Sequence, residues 1–346
     1  MTFVRRTAIG LALIYPSLLL VLSALHLFAP RREGWLALSE ALAPFLFMPA
    51  LLAAPFALLR GAMVLRLALA ACALIAVLRF SPELRMPVQE YTPAEPHIEV
   101  VSWNVGLCCG AQTQAARVRP LLASTEATIV VLPESAWPWI DRDAEIAAKF
   151  PYRLWNFDRF STDPLVLSTY PVLEHGIAED PQKTNGRARL VWARLDVDGR
   201  PLLLVAAHPL PPEPLIPDCT LERCFETADR DALVHRVRQI IDPALDRGEH
   251  VLVVGDFNLT EREPAYAELA RGLQDAQRVA GSGWGATWSP ELVGGARRPL
   301  LRIDYQLAGP TLRPVLFGVD CTPRGSDHCL LRGKYVFAGS DYWNDE

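Results

Sequence analysis

The sequence predicts an α/β domain behind an apolar, membrane-crossing N-terminal segment. Three observations carry this reading. Long uncharged stretches crowd into the first eighty residues. From residue 97 onward, short apolar runs with strand patterning are interspersed with amphipathic helical ones. One stretch, VLVVGDFN at 251–258, reads as a fully buried strand that delivers polar side chains at its end.

In that stretch, Val251, Leu252, Val253 and Val254 run into Gly255, which can take a backbone angle closed to other residues. Asp256 and Asn258 follow, two apart, so on a strand they point the same way. Strand ends are where an open α/β layer places its chemistry. An Asx turn with a solvated Asp is the plainer reading of the same residues.

The apolar segment contains three candidate spans. Residues 7–29 carry no formal charge, and as a helix they reach about 35 Å, enough to cross a hydrocarbon core. Residues 35–59 hold Glu40 as their one charge, with Pro44, Pro49 and Pro55 expected to kink the helix. Residues 62–80 form the third, with Arg66 near enough to its start to snorkel. The expectation is an anchor over 1–80 with three retained transmembrane helices. A cleaved signal peptide fits less well, because the run after Arg5 and Arg6 is long and further apolar segments follow at once. Flanking arginines divide four against four, so the positive-inside rule does not decide orientation. Arg5 and Arg6 favour an inside N-terminus, and three spans then place the remainder outside the cytoplasm. The spans carry almost no charge, which argues against an ion-transport path.

Charge and cysteine divide by region. Residues 1–87 carry net +5, leaving −10 on the rest of a chain of net −5. So acidic a region is not built to grip a long polyanion. Cys72 sits in a span; Cys108, Cys109, Cys219, Cys224, Cys321 and Cys329 lie beyond it. Cys219 and Cys224 flank a short polar segment and are either a local disulfide, implying an oxidising compartment, or two reduced thiols. No spacing resembles a zinc site.

Residues 81–96 are a proline-rich linker, 97–338 the α/β domain and 339–346 a tail. Strands are expected at 97–105, 128–132, 152–157, 165–169, 190–197, 201–207, 302–307, 312–318 and 329–337. Asp198-Gly199 provides a hairpin turn between 190–197 and 201–207. Helices are expected at 117–124, 228–245 and 264–273, and a glycine-rich loop at 281–285. Buried strands deliver Asn104, Glu134, His208, Asp256 with Asn258, Asp304, and Asp327 with His328. Each has a structural reading alone, but together they suggest one site.

The order and wording of SWNV, LPES, AHP, GDFN, RIDYQL and GSDHCLL resemble the endonuclease/exonuclease/phosphatase superfamily, the deoxyribonuclease-I-like fold. The likeness covers about 98–337, with GDFN and SDH its specific motifs. It implies an α/β (α+β) class, a four-layer α/β/β/α sandwich of two packed mixed sheets. By this resemblance Glu134 is the main metal-ligand carboxylate, with Asn104 and Asp327 close to the same site. Asp256 orients or deprotonates the attacking water, and Asn258 holds a phosphate oxygen. Asp304 orients His328, and His328 and His208 pair on the phosphate. The implied cofactor is Mg²⁺, with Mn²⁺ as the alternative. Ser168 reads as structural and Trp288 as a core or rim aromatic. Arg187 and Arg189 read as phosphate contacts or as solvated strand residues. AHPLPP departs from the family's usual wording around His208, and there is no long basic insertion of the kind nucleases use.

The chemistry has its own logic. A phosphoester repels a nucleophile, and a hard cation on oxygen ligands lowers that barrier. A carboxylate behind an imidazole fixes its tautomer and favours its charged form. The expected function is a membrane-anchored, metal-dependent phosphodiesterase or phosphomonoesterase. Its substrate is a lipid headgroup, a nucleotide or nucleic acid, and no protein partner is implied. The alternative is a non-catalytic, membrane-tethered binding module that keeps the fold. A lost essential residue would mark that alternative, and none is lost.

Overall fold

The structure, a computed structural model, describes residues 2–60, 62–81, 97–106, 110–135, 137–157, 160–178, 187–213, 220, 223–290 and 298–338. The expected linker (but for Ser81) and tail, and Cys108, Cys109 and Cys219, lie outside these residues. The chain forms two compact units. One comprises Met1–Arg85 with Pro212–Thr227 and Arg262–Pro264, and the other comprises the remainder.

The first unit is built on helices α1 (Thr2–Phe28), α2 (Gly34–Ala41), α3 (Ala43–Arg60) and α4 (Met63–Phe80). Ile9–Phe28 and Met63–Phe80 are each long and apolar enough to cross a membrane. The expected middle span is not one helix. Gly34–Ala41 and Ala43–Phe56 meet at 60°, and they add a third crossing only if the bent pair is a single broken span. The break falls at Leu42, just before Pro44, which lacks the N–H needed to continue a helix from behind but is tolerated in a first turn. Pro49 and Pro55 stay inside α3. Charge among these helices is paired rather than absent. Arg79 of α4 donates to both carboxylate oxygens of Glu40 on α2, at 2.6 and 2.8 Å, and His26 of α1 also contacts Glu40. The segment from 212 to 227 was not expected here. Its Cys224 and Phe225 bury against Ala37, Leu38 and Ala41 of α2. Thr227 Oγ1 donates to Arg32 O (3.1 Å), and Trp35 Nε1 donates to Thr220 O (3.1 Å).

The second unit contains, in order, β1 (Ile98–Ser102), α5 (Gly110–Ser124), β2 (Ile129–Leu132), a 3₁₀ turn (Trp137–Arg142), α6 (Ala144–Lys149), β3 (Tyr152–Phe157), β4 (Phe160–Ser168), β5 (Val172–Ala178), β6 (Arg187–Ala188), β7 (Leu190–Val197) and β8 (Arg200–Ala207). There follow α7 (Ala228–Asp246), β9 (His250–Asp256), α8 (Pro264–Leu269), β10 (Gln274–Asp275), α9 (Ala276–Ala280), β11 (Asp304–Ala308), β12 (Leu312–Asp320) and β13 (Leu330–Phe337). One sheet runs β12-β13-β1-β2-β4-β3, with β6 beside β4, and the other runs β10-β11-β9-β8-β7-β5. Each is mixed: β1 is parallel to β2 and β8 to β9, among otherwise mostly antiparallel neighbours. This is the expected α/β sandwich.

Strand alternation sorts side chains between layers. Ile98 and Val100 of β1 and Ile129 and Val131 of β2 share one core with Leu252 and Val254 of β9 and Leu204 and Ala206 of β8. That core lies between the sheets. The opposite parity, Val101 and Val130, packs with Val118 and Leu122 of α5. On the other sheet, Val251 and Val253 pack with Val234, Val237 and Ile241 of α7. Each fully buried Val or Leu contributes about 1.5–3 kcal/mol. A polar link crosses the buried interior. Gln306 Nε2 donates to Ser102 Oγ (3.0 Å), and Tyr335 Oη donates to Gln306 Oε1 (2.6 Å), joining the sheets.

Several boundaries differ from expectation. Helix α5 begins at Gly110, and β5, α6 and α9 are additional short elements. Helix α8 ends at Leu269, before Gly272 turns the chain at φ +71°. The hairpin turn is as expected, with Asp198 and Gly199 both at positive φ. Gly255 is required for its backbone angle, φ +158°, as expected, and also for lack of space. A Cβ there would lie 1.9 Å from the carbonyl oxygen of Ala207 on the parallel neighbour β8. Gly255→Ala is expected to force these strands apart and destabilise the domain by about 1–3 kcal/mol. A clear drop in thermal midpoint would show it, and an unchanged midpoint would contradict the close approach.

Candidate active site

The inter-sheet parity continues past the strand ends. Asn104 follows Ile98, Val100 and Ser102; His208 follows Leu202, Leu204 and Ala206; Asp256 follows Leu252 and Val254. Asp304 opens β11 directly opposite Asp256 in the antiparallel ladder. Alternation therefore brings these four side chains to one end of the shared core. All four are buried.

Asp256 is the hub. Its Oδ2 accepts the Asn104 amide at 2.9 Å, and that amide also donates to Glu134 Oε1 at 3.3 Å. The Nε2 atoms of His208 and His328 each lie 3.7 Å from the same Asp256 oxygen. His208 Nε2 is also 3.7 Å from Glu134 Oε1. Behind His328, Nδ1 meets Asp304 Oδ2 at 2.9 Å. Behind His208, Nδ1 meets Asp163 Oδ1 at 3.1 Å. That oxygen also accepts the Glu134 backbone N–H at 2.8 Å, and Arg189 lies 3.8 Å from the other.

Backbone geometry departs from a plain strand end. Glu134 and Asn258 have φ of +59° and +50°, a region few non-glycine residues occupy and one common at functional sites. Asn258 thus does not point beside Asp256 as a strand neighbour two residues on. Its N–H bonds Asp256 Oδ1 at 3.0 Å, and its side-chain amide donates to Pro209 O at 3.0 Å. The Asx turn is real, but its Asp is buried rather than solvated. Asp327 is held at its edge: Trp288 Nε1 donates to its Oδ2 at 3.0 Å, and Ser326 Oγ donates to Asn104 O at 2.7 Å.

The electrostatics follow from burial. Burial, together with the nearby Asp304 carboxylate, pushes Asp256 up to about 6 against the pull of both imidazoles. Burial opposes charge on His328, but Asp304 and Asp256 outweigh it and push His328 up to about 10. His208 is likewise raised, its burial outweighed by Asp163, Asp256 and Glu134. Burial works against charge on Asp163, but His208, the Glu134 N–H and Arg189 hold it down at about 2.

The donor chemistry fits a hard divalent cation. Among the described residues, oxygen donors converge there and no thiolate does. Ligand atoms of Asp256, Asp304 and His328 lie within 4.8 Å of one another. Glu134 and Asn104 adjoin them.

A sequence profile of the endonuclease/exonuclease/phosphatase family matches residues 101–328. The chain belongs to this family. Solved structures agree on the fold. A humanized D. rerio TDP2 is 20% identical, with TM-score 0.53, covering 69% of this chain and 98% of that one. A family protein from Bacteroides thetaiotaomicron is 13% identical with TM-score 0.52, covering 72% and 100%. A mannosyl-6-phosphatase from the same organism is 13% identical with TM-score 0.51, covering 69% and 100%. At such identities the likeness is one of fold. No curated protein matches the chain significantly.

For this family member, the structure brings Asn104, Glu134, His208, Asp256, Asp304 and His328 together. Asn258 and Asp327 border them. Ser168 is structural, its Oγ donating to Tyr170 O. Trp288 is a rim aromatic, serving Asp327. Arg187 contributes backbone to β6, and Arg189 turns to the Asp163–His208 pair rather than to solvent. Asp163 was missed. Its signal is the single charged residue of the strand FSTDPLVLS, just before the apolar run PLVL.

Asp163 makes stability depend on pH. An acid held below its unfolded value of about 3.9 contributes stability that is complete above that value and lost as pH falls towards about 2. The contribution is about 2 kcal/mol. Melting between pH 5 and 2 should show a steeper acid limb for wild type than for Asp163→Asn. Superimposable limbs would contradict the pairing.

Proposed function

We propose that the chain is a membrane-anchored, divalent-metal-dependent phosphoesterase. The single observation that supports this best is the pair of acid–imidazole couples, Asp163–His208 and Asp304–His328. Each directs its Nε2 to 3.7 Å from the same oxygen of Asp256. Two cations flanking one buried carboxylate make a site suited to a substrate that carries negative charge and needs a base.

Glu134, with Asn104 and Asp327 nearby, would hold Mg²⁺, or Mn²⁺ in its place. A bound divalent ion supplies charge neutralisation at a phosphoryl oxygen. The chain's own residues do the rest. Asp256 orients the attacking water and accepts its proton. His328 and His208, held protonated by their carboxylates, donate to phosphoryl oxygens as charge builds. Asn258 has a second amide hydrogen for the same oxyanion. The acidic domain disfavours long duplex DNA, leaving a lipid headgroup, a nucleotide or a short single strand as substrate.

The domain is proposed to lie outside the cytoplasm. Cys321 and Cys329 are disulfide-bonded, as is Cys224, whereas Cys72 in α4 is free. Disulfides persist in oxidising compartments. With an inside N-terminus, an outside domain requires an odd number of crossings, so α2 and α3 would act as one broken span.

Activity is tested with the full chain in detergent, offered a phospholipid, a nucleotide monoester and single-stranded DNA, with Mg²⁺ and with chelator. Asp256→Asn and His328→Ala should each reduce turnover by about 10²-fold or more while the fold is kept. Full activity in either variant, or in chelator, would refute the assignment. Activity on none of the three substrates would favour the binding-module reading. For topology, a membrane-impermeant thiol reagent on intact cells should label Cys321 only after reduction. Labelling without reductant would count against an oxidised, external domain.

A further inference from the structure

His328 and Asp327 lie on the connection between β12 and β13. The last ladder pair before it is Asp320 with Leu330. Residues 321–329 are thus outside the sheet, a long connection for a hairpin. Directly beyond that pair the chain is closed covalently. Cys321 and Cys329 form a disulfide, with Cα atoms 4.4 Å apart. Cys329 is the residue after His328 and is buried, whereas Cys321 is exposed.

We propose that this disulfide is a positioning element for His328 and Asp327, so that a dithiol reductant lowers turnover without unfolding the domain. The inference rests on the phosphoesterase reading above. The two arms of the loop are held differently. The arm after the apex is docked onto the domain: Cys329 N–H donates to Thr287 O (2.7 Å), Ser289 N–H to Asp327 O (2.8 Å) and Ser326 Oγ to Asn104 O (2.7 Å). The arm before it folds on itself, with Thr322 N–H and the Arg324 guanidinium both donating to Asp320 (2.9 and 2.6 Å). The covalent bond ties this exposed arm to the docked one, immediately beside His328. The 2.9 Å contact of His328 with Asp304 is the kind of geometry in which a displacement of 1 Å costs about 10²-fold in rate.

Opening the bond is a two-electron exchange. A thiolate of the dithiol attacks the exposed Cys321 sulfur, the S–S bond breaks, and Cys329 leaves as a thiolate that takes up a proton. The second thiol of the reductant then displaces Cys321, which is also protonated, and the reductant ends as a cyclic disulfide.

The test uses the full chain in detergent with bis(p-nitrophenyl) phosphate and Mg²⁺, before and after dithiothreitol, with intact mass reporting that the bond has opened. The expected result is a fall in kcat of about tenfold or more, a smaller change in KM, and recovery on reoxidation. A Cys321→Ala/Cys329→Ala variant should start low and ignore reductant. A Cys224→Ala control should respond as wild type does, separating this bond from the one at Cys224. Amide exchange over 321–329, measured on the same samples without substrate, should quicken on reduction. If the oxidised protein hydrolyses nothing, the phosphoesterase reading fails and exchange alone judges the positioning. Unchanged exchange, kcat kept within about twofold after complete reduction, or a rise in KM at constant kcat would each overturn the proposal. Reduction of folded wild type gives the answer even if the double variant does not fold.

Discussion

A carboxylate at the end of a buried strand is costly to charge, and the residues around Asp256 answer that cost. Asp256 is almost fully buried, so its charge must be met by neighbouring groups. Asn104 donates to it, the Asn258 N–H caps it, and two imidazoles face it at 3.7 Å. Each imidazole is buried as well and needs its own acid behind it. The result is a chain of alternating charges, Asp163–His208–Asp256–His328–Asp304, in which removing any member takes a charge partner from its neighbours. Interlocked charges of this kind are poor at raising stability but good at holding one geometry.

That chain of charges requires the two sheets to meet in one register. The parity of the strands aims Asn104 from one sheet and His208, Asp256 and Asp304 from the other into the same gap. Gln306, two residues beyond Asp304, bonds Ser102, two residues before Asn104. A polar tie thus spans the sheets next to the site, where an apolar contact would tolerate sliding. Gly255 serves the same end by letting β9 approach Ala207 of β8 closely, which sets Asp256 beside His208.

The helical N-terminal unit follows different physics. Its helices are held by apolar packing around Phe47, Leu69 and Cys72 and by the Arg79–Glu40 pair, which keeps the charge among them balanced. A neutral couple of this sort joins helices at far lower cost than a lone ion among apolar neighbours. The segment from 212 to 227 belongs to this unit although it is remote in sequence, because Cys224 and Phe225 complete a small apolar cluster on α2.

Much of the site was legible in the sequence because strand burial and period two are local properties. An apolar run that ends in a polar residue announces where that residue must emerge, and GDFN, SDH and the other motifs located Asn104, Glu134, His208, Asp256, Asp304 and His328. What local pattern cannot specify is pairing. The partnership of Asp163 with His208 depends on β4 and β8 lying in different sheets that face each other. The bond between Cys321 and Cys329 depends on where the β12–β13 ladder stops. The inward turn of Asn258 depends on the Pro209 carbonyl being within reach. The sequence alone therefore determined which residues carry charge, hydrogen bonds and apolar surface, and in what order. Only the tertiary structure decided which of them neutralise one another, because that is set by distances across a core between segments far apart in the chain.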